Sequence, residues 1–158
     1  MLEEGEIYGV STFNKEIIIN STVFKVWDAL TNPVQIKLWI SDFETEILSS
    51  WKAGDSIIIR GDLHGIPFEN KGTVLKFEPP ELFQYNFISS LSELADKPEN
   101  YVEVEFSLKP GSTETTLVLT LRNLHTYEIY KHNYFYWTTT LEIIKRLIEI
   151  EFKAKTEN

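Results

Sequence analysis

The chain has 158 residues, of which 42% are hydrophobic, so its length and composition predict one domain with a real core. Its formal net charge of −9 argues against nucleic-acid binding, because phosphates are neutralised by clustered Lys and Arg, and this sequence has no such cluster. No apolar run approaches the roughly 18 residues of a membrane span, and the absence of cysteine excludes disulfides and thiolate zinc sites. We therefore expect one cytoplasmic domain over residues 1–158, with a core at about 13–152.

The first part of the chain predicts one strand followed by two short helices. The strand covers residues 13–20, and the helices cover 22–31 and 33–40. β-branched residues indicate the strand, and helical spacing of Val26, Trp27 and Leu30 indicates the first helix. Pro33 ends that helix and is a favourable first residue for the second. We expect Trp27 and Trp39 to face inward and to close one end of the molecule.

Hydrophobic alternation with a period of two predicts six strands in the middle of the chain. They cover residues 43–48, 55–62, 68–77, 82–90, 101–109 and 115–122. Their short separators contain Gly and Pro and favour antiparallel hairpins, because a parallel crossover needs a dozen or more residues. Val104 and Phe106 alternate with Glu103 in this way, and the same alternation places Leu75 and Phe77 on one face.

A long helix is predicted over residues 129–152, and at 1.5 Å per residue it would be about 36 Å long. Its apolar stripe consists of Tyr130, Tyr134, Trp137, Leu141, Ile144 and Ile148. A stripe of this width needs a sheet to cover it. The elements together predict an α+β fold, in which a curved seven-stranded antiparallel sheet wraps around the C-terminal helix, with two short helices after the first strand.

One stretch of sequence resembles a known family. Residues 26–33, VWDALTNP, followed by Ile36, Lys37 and Trp39, resemble the start of domains related to the activator of Hsp90 ATPase. Those domains belong to the START/Bet v 1-like superfamily, which has the helix-grip fold. Residues 72–75, GTVL, and 78–81, EPPE, agree with the resemblance, as does Trp137 in the last helix. The resemblance covers residues 13–152 in order.

Two positions depart from the pattern of that family. Tyr136 stands where the family often has glycine, and Phe87 stands where it often has tryptophan. The larger side chain of Tyr136 is expected either to narrow the mouth of a cavity or to shift the helix on the sheet. The family includes lipid and small-molecule binders, lyases and hydrolases, and co-chaperones that are linked to the stress response, so the resemblance fixes the fold better than the function.

Three functions stay open on this basis. A non-catalytic domain that binds an apolar or amphipathic small molecule ranks first, because it needs only the fold and an aromatic lining. An enzyme of the polyketide cyclase or hydrolase kind ranks second, because it needs a buried polar pair that the sequence does not identify. An Hsp90-type co-chaperone or other protein-interaction module ranks third. The sequence also leaves a homodimer open.

The ligand is expected in a cavity between the sheet and the C-terminal helix. The side chains predicted to line it are mostly aromatic: Trp39, Phe68, Leu75, Phe77, Tyr85, Phe87, Val104, Phe106, Tyr134, Trp137 and Leu141. The hydroxyl of Tyr85 or Tyr134 would orient the polar end of the ligand. The alternative is that the same rings fill the space completely.

Motifs for catalysis, cofactors or metals are not evident. The sequence has no Gly-x-Ser-x-Gly elbow and no glycine-rich phosphate loop. The histidines are His64, His125 and His132, and none has the spacing of a metal site. No cofactor and no metal is therefore expected. Arg60 would enter the cavity only if a bulge shifted its strand, and we favour the register that places it in solvent beside Ile58.

Overall fold

A computed structural model describes the backbone of residues 11–157 and the side chains of residues 11–150. Its strands are β1 Phe13–Ile19, β2 Thr45–Ser49, β3 Ser56–Leu63, β4 Ile66–Glu78, β5 Leu82–Ser89, β6 Val102–Pro110 and β7 Thr115–Arg122. Its α-helices are α1 Val23–Thr31, α2 Pro33–Trp39 and α3 Tyr127–Glu157. Short 3-10 turns at Ser90–Ser92 and Pro98–Asn100 lie in the loop between β5 and β6.

The strands form one antiparallel seven-stranded sheet in the order β1-β7-β6-β5-β4-β3-β2. Strands β2 to β7 are neighbours in sequence and in space, as short connections require. β1 pairs with β7 instead, so that β1 and β2 lie at opposite edges and α1 and α2 connect them. The predicted architecture of a curved antiparallel sheet with a long C-terminal helix is confirmed.

Helix α3 begins at Tyr127 and continues through residues 153–157, so it is longer at both ends than the predicted range of 129–152. Its stripe is buried from the middle onward: Leu141 and Ile144 are fully buried, and Trp137 and Ile148 nearly so. Tyr134 belongs to the predicted stripe but is 44% exposed. The stripe packs on the inner face of the sheet in one continuous core, and its buried part begins at Trp137, about two turns after Tyr130.

Strand β4 contains a bulge that changes which side chains face inward. Val74 lies opposite Tyr85, and Phe77 lies opposite Phe83, so one extra residue stands between the two pairs. Leu75 is in the irregular stretch, and its prediction as a partner of Phe77 on one face is wrong. A bulge breaks the period of two, and the alternation rule has no means of placing it.

Helix α2 lies against β2 and α3, and α1 lies against β6, α2 and α3. Asn32 ends α1, and its side chain accepts a hydrogen bond from the first turn of α2, as expected of an N-cap. Trp39 is buried, and its Nε1 donates to the carbonyl oxygen of Ala29 at 2.8 Å. The ring of Trp27 lies 5.4 Å from that of Phe77. Both tryptophans therefore pack inward, as predicted.

One edge of the sheet is capped by side chains of α3. Lys145 donates to the carbonyl oxygen of Ile18 at 2.5 Å, and Glu149 accepts from the backbone nitrogen of Asn20 at 3.3 Å. Lys145 and Glu149 also form an ion pair at 3.0 Å. These contacts attach α3 to the chain at the end of β1. In the described part of the chain, β2 at the other edge pairs with β3 alone.

Candidate functional site

The packing between α2 and the sheet leaves one narrow gap. Its volume is about 10 Å³, which is room for about one water molecule. The gap is lined by Leu30, Ile36, Trp39, Ile40, Ile47, Trp51, Ile57, Ile59, Phe83, Tyr85 and Phe106. The ligand cavity was predicted between the sheet and the C-terminal helix, whereas this gap lies under α2, is lined by no described residue of α3 and is nearly filled by aromatic side chains.

Aromatic rings in stacked and edge-on contact fill most of the space between α2 and the sheet. Phe83 stacks on Tyr85 at 5.2 Å and on Phe106 at 6.2 Å between ring centroids. Trp137 contacts Phe106 edge-on at 5.6 Å and lies 6.3 Å from Trp39. The rings thus form a continuous aromatic layer from the sheet to α3 and on to α2, with centroid separations typical of favourable aromatic pairs.

Two tyrosines supply the hydroxyl groups of this region. Tyr85 is buried, and burial together with the neighbouring Tyr136 raises the pKa of its phenol well above the ordinary value of about 10. Burial also raises the pKa of Tyr136. The Tyr136 hydroxyl donates to the carbonyl oxygen of Ile40 at 2.7 Å, and its ring lies edge-on to Trp137 at 5.0 Å. Both phenols are therefore protonated hydrogen-bond donors at neutral pH.

Most of the predicted ligand-binding residues come together around the gap. Trp39, Tyr85 and Phe106 line it. The core around it contains Phe77, Phe87, Val104, Trp137 and Leu141. Phe87 is only partly buried, and its ring lies 6.3 Å from that of Tyr85. These predicted residues belong to the same core as the gap, although Trp137 and Leu141 of α3 do not line it.

Three predicted residues lie elsewhere. Phe68 packs edge-on against Phe43 at 5.4 Å, near the tip of the β3–β4 hairpin. Leu75 lies in the bulge of β4. Tyr134 packs against Phe13 at 5.5 Å, on the outer part of α3. Of the two tyrosines proposed to orient a ligand, only Tyr85 lines the gap.

Comparison with known proteins agrees with this geometry. The family model for Activator of Hsp90 ATPase homolog 1-like protein matches residues 20–149. The chain belongs to this family. The solution structure of ChR145 from Cytophaga hutchinsonii is 34% identical over 94% of this chain and 99% of that chain, with a TM-score of 0.78. No curated protein sequence matches.

More distant structures of similar fold support the architecture alone. The Aha1 dimer from Colwellia psychrerythraea is 22% identical, with a TM-score of 0.70, and the match covers 89% of this chain and 98% of that chain. CalU16 from Micromonospora echinospora is 20% identical, with a TM-score of 0.67, over 87% of this chain and 73% of that chain. The helix-grip fold that the resemblance implies is thereby confirmed for this family member.

Several lining residues of the family member were not predicted as site residues. Ile57 and Ile59 alternate in a β-branched run, and that pattern is sufficient to place them inward. Trp51 lies in the loop before β3 with a positive φ of 59°, and no sequence signal places it in the gap. Arg60 faces outward, 46% exposed and 3.9 Å from Glu69, which is the orientation that the sequence favours.

A second, open groove of about 690 Å³ lies at the corner where the β3–β4 hairpin extends past β2. It is lined by Lys37, Glu44, Thr45, Glu46, Arg60, Gly61, Asp62, Pro67, Phe68, Glu69 and Ser90. A Cβ at Gly61 would lie 2.9 Å from both the Glu44 carbonyl oxygen and the Phe68 ring, so only glycine fits at the floor of this corner. The groove is charged and open, unlike the apolar sites in which small molecules are usually buried.

The interior of the family member has few side chains that could act as an acid, a base or a metal ligand. Among the residues described, those lining the gap carry no carboxylate, histidine or lysine. Over the same described residues, no group of three His, Asp or Glu side chains is placed to hold a metal ion. No α-helix within that part of the chain is long and apolar enough to cross a membrane. The polar side-chain groups that line the gap are the phenol of Tyr85 and the indole nitrogens of Trp39 and Trp51.

Proposed function

We propose that the chain is a single domain that binds a small apolar or amphipathic molecule between α2, α3 and the inner face of the sheet. The observation that carries the proposal is the lining of the gap under α2, which is apolar apart from the hydroxyl of Tyr85 and the indole nitrogens. Binding sites for small molecules are typically apolar surfaces with a few placed polar groups.

Binding at this site requires movement of α2. A drug-sized ligand needs about 300–1,000 Å³, far more than the gap of about 10 Å³. α2 is only seven residues long, and its C-terminal end is held by two hydrogen bonds, from Trp39 to Ala29 and from Tyr136 to Ile40. Lifting α2 would remove the indole of Trp39 from the interior and open the aromatic layer to a ligand.

The test is thermal melting against a panel of fatty acids, sterols and flavonoid-like aromatics. A ligand present at 100 times its dissociation constant should stabilise the protein by about 2.7 kcal/mol. Ile59→Phe should abolish the effect by filling the gap. Ile58→Phe is the matched control, because the neighbouring side chain lies on the other face of β3. If no member of the panel raises the midpoint of the wild type, the proposal is wrong.

A protein-interaction role is the second candidate. Phe24 of α1 is 71% exposed, and Val34 and Leu38 of α2 are 69% and 58% exposed. Val34 and Leu38 are one helical turn apart and therefore adjacent on the outer face of α2. A second copy of the chain is the partner to test, by light scattering of the wild type and of Leu38→Asp. A monomer at all concentrations would remove this candidate for self-association.

The cyclase or hydrolase alternative ranks below both. Such an enzyme needs an acid or base within hydrogen-bond reach of its substrate. The interior described above offers two phenols whose raised pKa values keep them protonated, so it provides donors and no general base at neutral pH.

A further inference from the structure

The polar groups of the interior restrict the chemistry of the ligand that the proposed function requires. Every described side chain that lines the gap is uncharged. Arg60, the candidate anchor for a carboxylate, lies on the outer face of β3, 46% exposed. An ionised head group placed in this space would lose its hydration without gaining a counter-charge, which is strongly unfavourable. The ligand's polar atom must therefore be neutral.

The interior presents donors to that atom. Tyr85 lines the gap together with Ile40, the residue whose carbonyl oxygen accepts the hydrogen bond of Tyr136. The Tyr136 hydroxyl donates to the carbonyl oxygen of Ile40, the residue that follows α2. Its other side-chain hydrogen bond, with Thr140, lowers the pKa of Tyr136 and is therefore one that the phenol oxygen accepts, so the hydroxyl proton loses its acceptor when α2 lifts away. A buried donor left without a partner costs about 1–3 kcal/mol, so a ligand that supplies an acceptor is favoured over one that does not.

We infer that the ligand carries a neutral hydrogen-bond acceptor, such as a ketone, ester or amide oxygen, which takes the place of the Ile40 carbonyl and is bound by the hydroxyls of Tyr136 and Tyr85. The inference rests on the proposed function and deepens it. Tyr136 then has two roles, because it holds α2 closed in the free protein and binds the ligand's oxygen in the complex.

The test uses three probes with one ring system, whose size is close to that of the Trp39 indole. Naphthalene has no acceptor, 2-acetonaphthalene has a neutral carbonyl, and 2-naphthoate has a charged carboxylate. Dissociation constants are measured by tryptophan fluorescence for the wild type, Tyr85→Phe, Tyr136→Phe and the double variant. The readout is the affinity of the ketone divided by that of naphthalene. Because both probes must displace α2, the cost of that movement cancels in the ratio.

In the wild type the ketone should bind about fivefold to 100-fold tighter than naphthalene, since each hydrogen bond is worth about twofold to tenfold. The ratio should fall in each single variant and approach about one in the double variant. Tyr134→Phe is the control, because Tyr134 lies outside the gap, and it should leave the ratio unchanged. 2-Naphthoate should bind more weakly than the ketone in every protein.

Two results would overturn the inference while the proposed function stands. One is 2-naphthoate binding as tightly as the ketone, which would require a cation at the site. The other is a ratio that the double variant leaves at its wild-type value, which would mean that the tyrosines are not the donors. Failure of every probe and of the ligand panel would overturn the proposed function itself, and this inference with it.

Discussion

The two halves of the sheet's inner face are covered in different ways. Under α3, β7 contributes Leu117, Leu119 and Leu121, and the helix contributes Leu141 and Ile144, all fully buried. Under α2, the corresponding layer is built from rings, and a gap remains. Both halves belong to one continuous core, so the difference lies in side-chain shape and not in the extent of burial.

The comparison shows where this fold can change shape. Leucine and isoleucine interlock at close-packed density, and any displacement of α3 would break many contacts at once. Rings are rigid plates that leave irregular space at their edges, and α2 is a short helix that covers them. We therefore expect packing under α3 to contribute most of the free energy of unfolding. We expect changes of shape on ligand binding to occur under α2.

The largest expected effect is the difference between two isoleucine deletions. Ile144→Ala in the α3 half should destabilise the protein by an amount near the top of the usual range of about 2–5 kcal/mol. Ile59→Ala at the gap should fall near the bottom of that range, because α2 can settle into the vacated space. Urea denaturation measures both free energies. Equal losses would show that the two halves do not differ in how tightly they are packed. A loss below about 0.5 kcal/mol for Ile144→Ala would mean that Ile144 is assigned to the wrong face of α3.

At alkaline pH, the free energy of unfolding should depend on the two buried tyrosines of the half under α2. Below pH 10 the phenols of Tyr85 and Tyr136 are protonated in both folded and unfolded chains, so their burial is fully compatible with folding. Above pH 10 the unfolded phenols ionise and the folded ones do not. Stability should then fall by about 1.4 kcal/mol per pH unit for each buried tyrosine.

Urea denaturation between pH 9 and pH 11 tests this expectation. Tyr85→Phe and Tyr136→Phe should each reduce the slope of stability against pH, and Tyr134→Phe should not, because Tyr134 is 44% exposed. Identical slopes in all three variants would show that the two interior phenols are not protected from ionisation.

The smallest expected effect is local. Tyr136→Phe removes the hydrogen bond to Ile40 and should weaken the attachment of α2 by about 0.5–1.5 kcal/mol. The backbone amide of Ile40, which donates to Ile36 at 3.0 Å, should then exchange with solvent about twofold to tenfold faster. Hydrogen exchange followed by NMR resolves this amide. Equal acceleration in the strands under α3 would indicate global destabilisation and not release of α2.

Much of the fold could be predicted because its signals are local. The period-two strands, the proline between α1 and α2 and the apolar stripe of α3 each follow from spacing along the chain. The bulge in β4 could not be predicted, because it depends on how β4 and β5 pair in space. That one irregular position moves Leu75 away from the face of Phe77 and is the reason why Leu75 was wrongly placed.

Some of the predicted lining residues surround the gap, but neither its position under α2 nor its nearly filled state could be predicted from the sequence. The sequence shows which rings face inward, and Tyr85, Phe106 and Trp39 are among them. Whether rings from different elements leave a cavity or fill it depends on their relative orientation, which no spacing rule contains. The position of Tyr136 against Ile40 depends in the same way on the angle between α2 and α3.

The caps that α3 places on β1 also limit how copies of this protein could grow into larger structures. Lys145 and Glu149 already bind the free backbone groups of Ile18 and Asn20, so a further strand could join this edge only by displacing them. Further strands are therefore expected to add at β2, the edge on which no described side chain of α3 is bound. Two copies joined edge to edge at β2 would expose capped edges at both ends, and growth would stop at a closed pair instead of continuing into a filament.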